Sequence, residues 1–236
     1  MKKIYHPADS RGYANHGWLK THHTFSFANY YNPERMHFGR LRVLNDDEVA
    51  GGKGFGTHPH DNMEIITIPL EGDLEHRDSM GNGGIIKYGD VQVMSAGTGI
   101  THSEFNANKD RSVRLLQIWV FPNKKQVTPR YDQLHIANYA VKNQFQQIVS
   151  PNPDDDGVWI HQDAWFSLAD LDKGVSKIYD LKKEGNGVYL FLIKGKIKVG
   201  DQLLESRDGL GIWETNQLTI ETHEDSTVLL MEVPMI

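Results

Sequence analysis

The chain has 236 residues, with 25 basic and 31 acidic side chains and a formal net charge of -6. Its content of 39% apolar and 10% aromatic residues is typical of a soluble globular protein and excludes a disordered one. There is no cysteine, so disulfides, zinc ribbons and thiol nucleophiles are excluded, and any metal must be bound through nitrogen and oxygen.

The distribution of charge and apolar residues limits the possible partners and location. No Lys/Arg block occurs, so the sequence gives no support for binding to nucleic acid or to an anionic membrane. The N-terminus is polar and lacks the apolar core of a signal peptide, and no apolar run reaches membrane-spanning length. We therefore expect a cytoplasmic protein.

The first half of the sequence consists of short apolar or alternating segments separated by glycine-rich turns. No long segment has the 3.6-residue apolar period of a helix. This pattern predicts an all-β barrel or sandwich. The segments predicted as strands are residues 23–27, 41–44, 64–70, 89–94 and 114–121.

Two histidines, His58 and His60, lie one residue apart between a glycine-rich segment and an apolar run. Alternate side chains of a strand point to the same face, so these two imidazoles are expected to project together as half of a metal site. Pro59 between them has no N–H to donate to a neighbouring strand. We therefore expect this strand at a sheet edge or a barrel rim.

A second pair with the same spacing, His102 and Glu104, follows the next glycine-rich turn. If the two segments are neighbouring strands, the pairs supply three imidazoles and one carboxylate to one ion in a barrel mouth. The alternative is that these are turn histidines hydrogen-bonded to the backbone. That alternative does not easily explain why both pairs fall at equivalent positions.

The second half of the sequence repeats the order of strands and turns in the first half. Residues 188–193 correspond to residues 65–70, and residues 208–213 correspond to residues 89–94. This correspondence predicts a degenerate internal duplication, with one barrel in each half.

A polar segment with two prolines, residues 121–130, is predicted to connect the halves. Residues 131–149 are ambiguous and fit either a strand or a short helix over residues 140–147. We divide the chain into an N-terminal metal-binding domain, residues 1–125, and a C-terminal metal-free domain, residues 126–236.

The segments that carry the histidines resemble the two sequence motifs of the cupin superfamily. Residues 52–72 resemble the first motif and residues 89–106 the second, in which Ser95 replaces the usual proline and two extra residues precede His102. Together with residues 23–31, these departures resemble the pirin family, and within it the bacterial pirin-like quercetin 2,3-dioxygenases. The resemblance covers nearly the whole chain and is strongest over residues 11–121.

The resemblance implies an all-β bicupin, two double-stranded β-helix (jelly-roll) barrels in one chain. The second half has no His-x-His and is expected to be a metal-free cupin. Glu64, a ligand in many cupins, is kept as a candidate for contacting a ligand residue. The implied cofactor is one divalent ion, with Fe(II) favoured and Mn, Co, Ni, Cu or Zn possible. The implied metal ligands are His58, His60, His102 and Glu104.

The implied activity is a metal-dependent, quercetinase-type dioxygenase that cleaves flavonols such as quercetin with O2 and releases carbon monoxide. Glu104 is expected to act as the general base that takes the proton of the flavonol 3-hydroxyl. Three aromatic residues, Phe25, Phe27 and Phe55, are candidates for flanking a planar substrate.

Two other functions are weighed against this one. Pirins are also known as iron-dependent regulators that bind a protein partner without catalysis. A cupin sugar isomerase would require basic residues around a phosphate, and none cluster in the sequence near the metal pairs. The remaining histidines considered as structural or rim residues are His16, His22, His23 and His76.

Overall fold

In the computed structural model, which describes residues 1–236, each half of the chain forms one seven-stranded and one four-stranded sheet. The only helical segments are two short 3₁₀ turns, Ala8–Ser10 and Ala137–Tyr139, and neither is long or apolar enough to cross a lipid bilayer. The strands of the first half are β1 (Lys2–His6), β2 (Gly12–Asn15), β3 (Leu19–His23), β4 (Leu41–Val49), β5 (Gly54–His60), β6 (Glu64–Glu71), β7 (Asp73–Asp78), β8 (Gly83–Lys87), β9 (Asp90–Ser95), β10 (Ile100–Asn106) and β11 (Val113–Val120). Those that follow are β12 (Arg130–His135), β13 (Gln146–Ser150), β14 (Val158–Trp159), β15 (Trp165–Leu171), β16 (Ser176–Asp180), β17 (Asn186–Lys194), β18 (Lys196–Val199), β19 (Gln202–Glu205), β20 (Gly209–Trp213), β21 (Gln217–Thr222) and β22 (Ser226–Pro234).

The order of strands in the sheets confirms the predicted duplication. The N-terminal sheets have the orders β12-β9-β6-β11-β4-β3-β2 and β5-β10-β7-β8. The C-terminal sheets have the orders β1-β20-β17-β22-β15-β13-β14 and β16-β21-β18-β19. Strand β9 therefore corresponds to β20, β6 to β17, and β11 to β22, as the sequence comparison of the halves predicted. The all-β bicupin architecture is confirmed.

Strands β1 and β12 occupy equivalent places in opposite halves. The N-terminal strand β1 pairs with β20 of the C-terminal sheet, whereas β12 pairs with β9 of the N-terminal sheet. Each strand therefore pairs with a strand on the other side of the predicted division between residues 125 and 126. Whether the two halves separated at that division fold independently stays a prediction.

The two seven-stranded sheets share the largest apolar core of the molecule, a cluster of 24 buried side chains. Ile66, Leu116 and Ile118 contribute to it from the N-terminal sheet, and Phe191 and Leu229 from the C-terminal sheet. Because side chains alternate along a strand, the residues between these positions face the interior of their own barrel. The inter-sheet core therefore fixes which residues of β6 and β11 line the N-terminal barrel.

The interiors of the two barrels differ in polarity. A cluster of 15 buried apolar residues, including Leu190, Leu210 and Leu230, fills the C-terminal barrel. The N-terminal barrel has smaller apolar clusters of six and four residues, and buried polar side chains such as Thr67 and Gln117 lie between them. A polar cavity is therefore built only into the first barrel.

Two strand predictions and one helix alternative need correction. The strand predicted over residues 23–27 lies earlier in the chain, at Leu19–His23, and the strand predicted to end at residue 44 continues through the acidic segment to Val49. Hydrogen bonding to β3 and β11 on both sides keeps that segment extended. The helix considered over residues 140–147 is wrong, because β13 begins at Gln146 and pairs with β15.

Candidate metal centre

The two predicted pairs of metal ligands lie on neighbouring antiparallel strands. In the pairing of β5 with β10, His58 is opposite His102 and Ile100 is opposite His60, with a register shift between His102 and Glu104. Strand β5 forms the edge of its four-stranded sheet, as the proline between the histidines predicted. Strand pairing therefore brings both pairs to one end of the N-terminal barrel.

Three imidazoles form a compact group at this end. The Nε2 atoms of His60 and His102 are 3.0 Å apart, and one ligand nitrogen from each of His58, His60 and His102 lies within 4.8 Å of the others. The Nδ1–H of His58 donates to the carbonyl oxygen of Gly56 at 2.8 Å. This hydrogen bond leaves the Nε2 lone pair of His58 free to bind a metal.

The environment keeps two of these imidazoles neutral at pH 7. Burial lowers the pKa of His60 to about 4, and the neighbouring His58 adds to the effect. Burial also lowers the pKa of His102 to about 2, with further contributions from His58, His60 and His76. A neutral imidazole is the form that binds a metal, so the site is prepared for a cation.

Glu104 lies deeper in the barrel than the exposed end of β5 and is only 3% exposed. The side-chain amide of Gln117 donates to both carboxylate oxygens, at 3.1 and 3.0 Å. Burial raises the pKa of Glu104, and the hydrogen bond from Gln117 opposes that rise. A divalent cation beside this carboxylate would favour its ionised form.

A second group of ligand atoms overlaps the first one at His102. It consists of His76, His102 and Glu104, whose ligand atoms also lie within 4.8 Å of one another. His76 is fully buried, its ring lies 4.8 Å from that of Tyr131, and its Nε2 is 3.3 Å from Asp78. Of the two roles expected for His76, structural or rim, full burial excludes the rim. The pairing of His76 with Glu104 between β7 and β10 placed it here, and sequence spacing does not reveal that register.

The four predicted ligands line one cavity of about 70 Å³. Phe27, Phe55 and Trp119 supply its aromatic walls, and its other lining residues include Asn45, Asp47 and Gln117. Phe27 and Phe55 are therefore placed where they could flank a substrate, and that role stays a prediction. Phe25 is instead buried in the inter-sheet core, where its ring packs against His6 and Tyr189.

Glu64 does not reach this cavity. Its side chain lies on the same side of β6 as Ile66 and Ile68 of the inter-sheet core, and it accepts a hydrogen bond from the Ser95 hydroxyl at 2.7 Å. Burial raises the pKa of Glu64 to about 7. The expectation that it contacts a metal ligand is therefore wrong.

The residues present fit a divalent metal ion. Three imidazoles and a carboxylate are a donor set that suits first-row transition metals. The Nδ1 atoms of His76 and His102 are buried without a hydrogen-bond partner, which is unusual for polar atoms inside a protein.

Comparisons with known proteins agree with this architecture. The family model described as Pirin matches residues 6–120, and the model described as Quercetinase C-terminal cupin domain matches residues 147–233. The chain is 43% identical over 229 residues to a protein of Escherichia coli strain K12 named quercetin 2,3-dioxygenase, covering 97% of each chain. It is 41% identical over 227 residues to a pirin-like protein of Caulobacter vibrioides, covering 96% of this chain and 97% of the relative.

A solved structure supports the same relationship. The crystal structure of the bacterial pirin YhhW of Escherichia coli in complex with nickel(II) superposes with a TM-score of 0.94 at 40% identity and covers 100% of both chains. The chain therefore belongs to the pirin family.

Proposed function

We propose that this protein is a metal-dependent dioxygenase that cleaves flavonols such as quercetin with O2 and releases carbon monoxide. The full-length similarity to a protein named quercetin 2,3-dioxygenase supports this activity. The single observation that carries it is the convergence of three imidazoles and a carboxylate on one aromatic-lined cavity.

We propose that His58, His60, His102 and Glu104 hold the metal ion, and that Fe(II) is the favoured occupant. Mn, Co, Ni, Cu or Zn also suit this donor set, and the crystal structure of the Escherichia coli relative contains nickel(II). When bound, such an ion would supply Lewis-acid chemistry to the cavity.

The protein's own groups prepare Glu104 for proton transfer. Burial raises the pKa of this carboxyl group, whereas a bound cation would lower it and favour the ionised form that can accept a proton. The Gln117 amide holds both carboxylate oxygens, and the Thr67 hydroxyl donates to Gln117 at 3.2 Å. These contacts fix the orientation in which Glu104 would take the proton of the flavonol 3-hydroxyl.

The cavity is small for a flavonol. The cavity volume of about 70 Å³ is well below the roughly 300–1,000 Å³ of ordinary small-molecule sites. Phe27 lies in the loop between β3 and β4, and Ala28 after it has a left-handed backbone with φ of 48°. Displacement of this loop would open the cavity and leave aromatic faces against a planar substrate.

Metal reconstitution followed by oxygen uptake tests this proposal. Metal-free protein is loaded anaerobically with Fe(II), its metal content is measured, and O2 consumption is followed with quercetin. A flavone that lacks the 3-hydroxyl serves as the control substrate. We expect uptake with quercetin alone. A fully loaded protein that consumes no O2 with any flavonol would contradict the proposal and favour the metal-containing regulator that binds a protein partner.

A further inference from the structure

A basic cleft of about 510 Å³ lies between the two halves of the molecule. The cleft is separate from the metal cavity. It lies on the face of the N-terminal seven-stranded sheet that also packs against the C-terminal half, next to the inter-sheet core. Four cationic side chains line it: Arg11, Lys20, Arg114 and Arg207. The chain as a whole has a net charge of -6, so four cations around one cleft are a local reversal of its charge.

Strand pairing brings cations together that are far apart in the sequence. Lys20 on β3 and Arg114 on β11 both lie opposite Glu48 on β4. Arg11 precedes β2, and Arg207 is contributed by the C-terminal half from the turn between β19 and β20. A ligand in the cleft would therefore contact both halves of the molecule.

The carboxylates that face the cleft do not balance these cations. Asp46 lies 3.2 Å from Arg11 and 3.7 Å from Arg207, so one carboxylate is shared by two guanidinium groups. Glu48 is likewise shared, at 3.2 Å from both Lys20 and Arg114. Arg114 has one more distant partner, the exposed Glu71 at 3.9 Å.

The third carboxyl group beside the cleft, Asp47, belongs to the opposite face of β4. Because side chains alternate along a strand, Asp47 points away from the side on which Asp46 and Glu48 lie, and it also lines the metal cavity. Four cations therefore share Asp46, Glu48 and the more distant Glu71, which leaves an excess of one positive charge on this face of β4.

Two of the cations have a constrained side chain or backbone. The side chain of Arg11 is only 5% exposed. Arg207 has a left-handed backbone with φ of 73°, which is uncommon for a residue other than glycine, and its NH1 nitrogen is buried without a hydrogen-bond partner. The Arg207 side chain as a whole is 27% exposed, so a ligand in the cleft can reach its guanidinium, and an acceptor would offset the cost of the unpaired NH1 donor.

We propose that this cleft binds a small molecule through an oxyanion, either a phosphate or a carboxylate group. The planar guanidinium groups of Arg114 and Arg207 offer paired N–H donors that match the oxygens of such a group. The site is separate from the metal cavity, from which β4 divides it, and it does not depend on the proposed dioxygenase activity.

Calorimetric titration of the full-length protein tests the proposal with inorganic phosphate and with succinate, against sodium chloride at matched ionic strength. We expect saturable binding of at least one of the two oxyanions and none of chloride. Stronger binding of phosphate would identify a phosphate-bearing ligand, and stronger binding of succinate a carboxylate-bearing one.

Substitutions in the cleft show whether binding occurs there. R114Q and R207Q are each expected to weaken binding about tenfold, the effect of losing one charge-assisted hydrogen bond. R111Q, which removes an exposed arginine paired with Asp73 outside the cleft, should leave affinity unchanged. E48Q removes a competing carboxylate and should tighten binding, which a purely structural ion-pair network does not predict.

Two results would overturn the proposal. One is the absence of saturable binding for both oxyanions. The other is equal affinity in R114Q, R111Q and the unmodified protein. Arg114 is half-exposed, so the R114Q comparison stands even if R207Q fails to fold.

Discussion

His102 is the residue on which the candidate metal centre depends most. It is only 2% exposed, and it belongs to both groups of ligand atoms, one with His58 and His60 and the other with His76 and Glu104. The group of His58, His60 and His102 defines an outer position for a cation, and the more buried group of His76, His102 and Glu104 defines an inner position. Substitutions that affect only one group therefore distinguish the positions.

We predict that H58Q releases the metal and that H76Q retains it. In the proposed ligand set His58 binds the ion directly, so its loss should weaken metal affinity by more than the roughly 10- to 100-fold typical of outer partners, whereas H76Q should cost no more than that. Metal content after dialysis against a graded chelator series measures both affinities. The opposite order would place the ion in the inner group.

We predict that E104Q abolishes turnover while retaining much of the metal. Loss of a general base typically costs about 10²- to 10⁴-fold in rate, and three imidazoles remain to hold the ion. Steady-state O2 consumption and metal analysis on the same sample measure the two effects. E75Q, which changes a carboxylate on neighbouring β7 outside the cavity, is the control. Turnover in E104Q within a few-fold of the unmodified protein would exclude the base role.

Glu64 provides a prediction about stability. Its folded-state pKa of about 7 lies above its value in an unfolded chain, so its contribution to stability is present below the unfolded pKa and is lost as pH rises through 7. At pH 8 the ionised form destabilises the metal-free protein by up to about 3 kcal/mol.

E64Q should therefore raise the free energy of unfolding at pH 8 and change it little at pH 4. Urea unfolding at the two pH values measures the difference. Greater destabilisation of E64Q at pH 8 than at pH 4 would contradict this prediction and would show that the charge of Glu64 is favourable, through its attraction to Arg130.

The ligand residues differ in how far the sequence reveals them. His58 with His60 and His102 with Glu104 were predictable because an i, i+2 spacing places both members on one face of a strand. His76 and Gln117 were not, because each reaches the site through cross-strand register. The position of Glu64 was not predictable, because the inter-sheet core determines which face of β6 points away from the metal cavity. That core includes residues from the other half of the chain.

Strand β1 shows how the sheets tie the two halves together. Its five residues pair with β20, and the ring of His6 at its end hydrogen-bonds through Nδ1 with the buried Tyr189 hydroxyl at 2.8 Å. This exchange was not predictable from the sequence, because a short polar N-terminal segment contains no pattern that specifies which sheet it joins. Its neighbour β20 was predictable from the repeat.

We predict that deletion of residues 1–6 destabilises the C-terminal barrel and promotes self-association. Removal of β1 leaves the edge of β20 unpaired, and such edges pair with other chains. Amide exchange in Gly209–Trp213 and light scattering measure the two effects, with the double variant K2Q/K3Q as a control that keeps the strand. Unchanged exchange protection of β20 would show that the pairing contributes little.

The whole molecule has one polar barrel, one apolar barrel and a shared core between them. The pattern of strands and turns was sufficient to predict the two barrels, and the histidine pairs indicated which one carries the metal site. The basic cleft between the halves was not predictable, because its four cations come from separate segments and form no charge run in the sequence. Only the packing of one half on the other assembles it.

Parallel measurement of O2 consumption and carbon monoxide release during quercetin turnover tests the proposed activity most directly. The Fe(II)-loaded protein should release one carbon monoxide for each O2 consumed, and the metal-free protein and H58Q should release none. Oxygen uptake without carbon monoxide, or equal turnover by the metal-free protein, would contradict metal-dependent flavonol cleavage at this site.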